Sequence, residues 1–136
     1  MLRNQLVRLF LPCILLLLLS PIANAQPRLE LKQGDRICVI GNTLAERTQH
    51  DGWLEAVLQH RFPKLEISFR NLGYAADEVA LRPREQNFGN PDTHLAFSKA
   101  DVIFAFFGYN ESFGGEAGLG AFRKQLESFL EHTAKQ

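Results

Sequence analysis

Apolar residues come in short blocks that alternate with polar, turn-rich stretches. Ile37-Cys38-Val39-Ile40 is apolar, largely β-branched and stopped by Gly41, which predicts a strand buried on both faces. The spacing of Trp53, Leu54, Val57, Leu58 and Phe62 predicts a helix, capped by Asp51 and ended by Pro63. Leu65, Ile67 and Phe69 alternate with Glu66, Ser68 and Arg70, which predicts a second strand with one wetter face, near a sheet edge. Asn71 to Asn90 is polar and rich in turn formers, with a short helix expected near Asp77 to Leu81. Asn90-Pro91-Asp92 places a cap before a proline at the first helical position and opens a short helix to about Lys99. Asp101 leads into Val102-Ile103-Phe104-Ala105-Phe106-Phe107, a strongly hydrophobic run expected as a central parallel strand. Gly108 to Gly120 reads as a glycine-rich loop, before a helix with Leu119, Phe122, Leu126, Phe129 and Leu130 on one side.

Strands separated by helices imply right-handed crossovers and a parallel sheet with helices on both faces. The ligand site of such a sheet lies beyond the carboxyl ends of its strands. Three polar segments leave those ends: Gly41-Asn42-Thr43, Asn71 to Asp77, and Gly108-Tyr109-Asn110-Glu111. Together they have the chemistry of an oxyanion site, which needs preorganised donors about 3 Å from the oxygen that gains charge. Thr43 offers a hydroxyl, Asn110 a side-chain amide, and the backbone between Gly73 and Asp77 its N–H groups. Taken singly, each segment is equally a turn, a loop cap or a flexible connector.

The N-terminus is of a different kind. Arg3 and Arg8 precede an apolar stretch from Leu9 to Ser20, then Pro21 and the small-x-small pattern Ala23-Asn24-Ala25. This is the pattern of a secretory signal peptide over residues 1–25, cleaved after Ala25, with one domain expected over 26–136. The apolar run is short for a membrane span, which takes about 20 residues. No stable span is expected after cleavage. An uncleaved anchor is the alternative.

The chain carries 15 basic and 15 acidic residues, and removal of Arg3 and Arg8 leaves it slightly acidic. With no basic cluster, nucleic acid is not an expected partner. Cys38 is the only cysteine beyond residue 25, so no intrachain disulfide can form there. Export without disulfides fits a bacterial envelope protein, periplasmic or secreted. Cys38 itself reads as a core residue.

Four blocks carry a resemblance: Ile40-Gly41-Asn42-Thr43-Leu44, Trp53 on the next helix, Arg70-Asn71-Leu72-Gly73-Tyr74-Ala75-Ala76-Asp77, and Phe107-Gly108-Tyr109-Asn110-Glu111. Their order and spacing, from about Gly34 onward, resemble the SGNH, or GDSL-like, hydrolase family. The resemblance implies a flavodoxin-like three-layer α/β/α sandwich on a parallel sheet, and an esterase, lipase or carbohydrate deacetylase activity. It puts Thr43 at the nucleophile position, where the family has serine, and Asn42 in place of the family's aspartate. The oxyanion hole would be formed by Thr43, the Ala76 N–H and the Asn110 amide. Gly41, Asn71 and Gly108 match supporting positions, and Glu111 replaces the usual aspartate. The family's Asp-x-x-His block has no counterpart, because His50, His60, His94 and His132 each lack an acid three residues before them. A hydroxyl without a base in reach is a poor nucleophile at neutral pH. The chain is therefore expected to be the N-terminal portion of such a domain, incomplete at its C-terminus, or a degenerate copy.

Smaller features each have two readings. His50 is a loop histidine or a stand-in base; Glu46 and Arg47 are loop surface or touch substrate. Trp53 is expected to pack rather than to serve as a stacking platform. Asn110-Glu111-Ser112 matches the N-glycosylation sequon, where a glycan would block the site. No metal-ligand spacing and no P-loop lysine occur, so neither metal nor nucleotide cofactor is expected. The functional expectation is an ester hydrolase acting on a small-molecule or carbohydrate ester, including O-acetyl carbohydrate, with a non-catalytic glycan- or partner-binding module as the alternative.

Overall fold

The computed structural model describes residues 28–136, so the expected signal peptide lies outside the described residues. Three parallel strands, β1 (Arg36–Gly41), β2 (Ser68–Asn71) and β3 (Val102–Phe106), form one sheet in the order β2-β1-β3. In register, Val39 faces Asn71 on one side, and Gly41 faces Phe106 on the other. The helices are α1 (Thr43–Asp51), α2 (Trp53–Arg61), the short α3 (Glu85–Phe88), α4 (Pro91–Ser98) and α5 (Gly115–Thr133), with a 3-10 turn at Glu111–Gly114.

β1 is buried from Ile37 to Gly41 because both of its faces are covered. Cys38 and Ile40 pack with Leu95 of α4, and Ile103, Phe107 and Phe129 close this side of the core. Alternation along the strand turns Val39 to the other face. There Asn71, its register partner, reaches α1, donating to Ala45 O at 2.7 Å and Thr48 Oγ1 at 3.0 Å. The result is a mixed α/β layer structure with a parallel sheet between helices. Burial raises the Cys38 thiol above its usual range, and a hydrogen bond with Ser98 partly opposes this.

Several expectations are corrected. The Val102–Phe107 run is not central: among the described residues β3 is an edge, Ala105 is exposed, and β1 holds the middle. Hydrophobicity reported β3's apolar faces but not its place in the order. Asp51 does not cap α2; it ends α1, and Gly52 at φ 64° turns the chain between the two helices. The expected short helix near Asp77 to Leu81 is irregular, with a bend at Val79 and Ala80, and helix forms instead at Glu85–Phe88. The glycine-rich Gly108–Gly120 stretch is a loop only at its start, since α5 begins at Gly115. Trp53 does not pack; it is 74% exposed. Asn90 caps α4 as expected, accepting from Thr93 N at 2.8 Å with Pro91 in the first turn. Among the described residues no helix is long and apolar enough to cross a membrane.

Candidate functional site at the carboxyl edge of the sheet

The chain leaves β1 through Gly41, whose φ of +122° is open only to glycine-like backbone. A Cβ there would lie 2.2 Å from Phe106 O, so the position also admits the close approach of β3. Asn42 donates its N–H to Phe106 O at 3.1 Å and caps α1, its side chain accepting from Leu44 N at 3.2 Å. Thr43 thereby becomes the first residue of α1, at a helix end whose N–H groups favour negative charge.

The segment after β2 is pinned to this turn. Tyr74 N donates to Gly41 O at 2.9 Å, and Gly73 lies so close to α1 that a Cβ would come within 2.6 Å of Glu46 N. Asn71 holds the bend by accepting from Gly73 N at 2.8 Å. The Thr43 hydroxyl donates to Ala75 O at 2.9 Å, and the Asn110 amide donates to Asp77 O at 3.4 Å. Thr43 and Asn110 thus grip carbonyls two residues apart, with exposed Ala76 between them. Among the described residues the non-glycine positions at positive φ are Glu66 and Lys99, so Ala76 has ordinary backbone geometry.

Glu111 locks the third segment in place. Its carboxylate accepts from Gly108 N at 2.9 Å and from Val79 N at 2.8 Å, joining the β3 loop to the segment after Asp77. Gly108 makes the turn at φ +106°. The expected site residues Gly41, Asn42, Thr43, Asn71, Ala76, Gly108, Asn110 and Glu111 therefore lie in one hydrogen-bonded cluster of three loops. Beside it an apolar cleft of about 710 Å³ runs along β3, lined by Thr43, Leu44, Arg47, Ala105, Phe106 and Tyr109.

The histidines are held elsewhere. His50 pairs with Glu46 at 3.1 Å, His94 bonds Phe88 O at 2.8 Å and stacks on the Phe88 ring, and His132 meets Asp92 at 2.8 Å. His60 is exposed in the last turn of α2. Arg47 lies 3.5 Å from Glu46, an exposed contact of little energetic weight. Among the described residues no imidazole is bonded to the Thr43 hydroxyl, whose proton is directed at Ala75 O.

Sequence patterning missed the groups behind the turn. Asp77 is 6% exposed, and its Oδ1 meets no donor among the described residues. Burial pushes its carboxyl above the usual range, and Arg82 and Arg84 pull it partly back. Arg82 lies over the Phe107 ring at 4.3 Å and donates to Glu78 O, and burial lowers its pKa. Arg84 donates to Leu72 O at 2.8 Å. Arg82 and Arg84 stand two apart in a polar segment, and only the fold brings them toward Asp77. Comparison with protein-family models, curated proteins and solved structures gave no match for this chain.

Proposed function

We propose that this chain carries the carbonyl-binding part of an SGNH-type ester site on a flavodoxin-like sandwich. Thr43 stands at the nucleophile position, and the Ala76 N–H and Asn110 amide donate to the acyl oxygen. The observation that carries this is the shared grip of Thr43 and Asn110 on the Ala75 and Asp77 carbonyls, with Ala76 between. The order of the blocks along the sequence and the apolar cleft beside Thr43 support it. The ligand is a small-molecule or carbohydrate ester, including O-acetyl carbohydrate. The site works outside the cytoplasm of a bacterium, after export directed by residues 1–25.

A second reading has one observation in its favour. With His50, His94 and His132 bonded away from Thr43, the pocket can bind without turning over, as a non-catalytic glycan- or partner-binding module would.

Calorimetric titration with a short alkylphosphonate ester, a monoanion shaped like the tetrahedral intermediate, tests the pocket. Binding is expected, and Asn110→Ala should weaken it about tenfold, near 1.4 kcal/mol. No binding, or full affinity in Asn110→Ala, would refute the pocket. Hydrolysis of a chromogenic acetate ester separates the two readings. Turnover abolished by Thr43→Ala supports the enzyme, binding without turnover supports the module, and turnover that survives Thr43→Ala removes Thr43 as nucleophile.

A further inference from the structure

Behind the 74–77 turn lies a second, smaller cavity, lined by Asp77, Arg82, Arg84 and His94 over Ile40 and Leu72. A carboxylate oxygen that is buried without a donor is costly, by roughly 1–3 kcal/mol or more for a charged group, so such atoms are normally satisfied. Asp77 Oδ1 is one of these, in a side chain 6% exposed that lines this cavity. The neighbouring guanidiniums do not supply the bond. Arg82 uses a nitrogen on Glu78 O and Arg84 one on Leu72 O. His94 Nε2 is engaged by Phe88 O.

Size and charge select the occupant. The cavity volume is about 30 Å³, against roughly 10–15 Å³ needed for one water, so the cavity takes about two or three. A sugar is too large. A metal cation would face Arg82 and Arg84, and an anion would face Asp77 and Glu85, which also lines the space. A neutral molecule that both donates and accepts fits both signs of charge. We propose that this cavity is a built water site, in which ordered water donates to Asp77 Oδ1 and accepts from a guanidinium of Arg82 or Arg84. The bridge ties the side chain of Asp77 to the 82–84 segment while its carbonyl holds Asn110. It thereby braces the turn from behind, whether or not the pocket in front takes an ester.

A crystal structure of the chain that resolves ordered solvent should show water within hydrogen-bond distance of both Asp77 Oδ1 and an Arg82 or Arg84 nitrogen. A direct Asp77–arginine ion pair, a dry cavity, or a bound ion there would overturn the proposal. In solution, a magnetisation-transfer peak from long-lived water to the Asp77 or Glu78 amide is expected in the wild type. It should persist in Asp77→Asn, whose amide oxygen still accepts, and vanish in Asp77→Leu. If Asp77→Leu does not fold, the other two proteins decide. No peak in the wild type, or a peak lost in Asp77→Asn, contradicts the bridge.

Discussion

The two ends of the sheet solve the same problem in opposite ways. At the amino edge, Asp101 receives Arg36 through its backbone N–H at 3.0 Å and through Nε and Nη2 at 2.8 and 3.1 Å. Asp35 there accepts from Lys32 N at 2.7 Å. Each of these carboxylates has a protein partner. At the carboxyl edge, Asp77 is buried with an oxygen that meets no donor among the described residues, two glycines sit where no Cβ fits, and polar loops converge around exposed Ala76. Fully satisfied polar groups fasten a fold. Close backbone approach and unspent hydrogen-bonding capacity set the carboxyl edge apart, and it is there that the proposed site lies.

Substitutions at the two edges should differ most at Gly41. Gly41→Ala puts a Cβ against Phe106 O at a backbone angle unfavourable to alanine, and should lose more than about 3 kcal/mol in urea denaturation. A near-neutral result would mean β1 and β3 do not approach as described. Asn71→Ala removes bonds to Ala45 O, Thr48 Oγ1 and Gly73 N and should lose about 2–3 kcal/mol. Asn42→Ala removes one helix cap and should lose about 1 kcal/mol by the same measurement.

Acid titration of stability should separate the edges by sign. The folded-state pKa of Asp77 lies above its ordinary 3.8, so the folded protein holds that proton longer than the unfolded chain. Its contribution therefore falls as pH rises from 3.8 through the raised value, and Asp77→Asn should flatten that slope. Asp101 has the opposite sign, because Arg36 lowers its pKa through side-chain and backbone hydrogen bonds. Its contribution is present above 3.8 and is lost as pH falls through the lowered value. Asp101→Asn should have the smallest effect of the set, reduced further by salt, because the pair is exposed. Equal slopes in the two variants would remove the contrast.

The sequence exposed the strands more clearly than their order. The unbroken, largely β-branched run at Ile37–Ile40 and the period-two alternation at Leu65–Arg70 both mark strands, although β2 begins only at Ser68. α1 was hidden because Thr43–Asp51 is nearly all polar, and it is held by the Asn42 cap and by Asn71 rather than by an apolar stripe. α5 starts among glycines because their penalty, about 1 kcal/mol each, lowers helix stability without forbidding it. The meeting of the Thr43, Ala76 and Asn110 segments was legible, since parallel strands put their following loops at one edge. The hidden place of Asp77, and its approach by Arg82 and Arg84, depends on how the 77–84 segment folds back over Ile40 and Leu72.

The most direct test of the carboxyl-edge pocket is a nuclear magnetic resonance titration of the chain with the alkylphosphonate. The Ala76 amide, the Asn110 side-chain NH₂ and the Thr43 amide should shift together with one dissociation constant. Shifts confined to other residues, or different constants for Ala76 and Asn110, would contradict a single anion-accepting site.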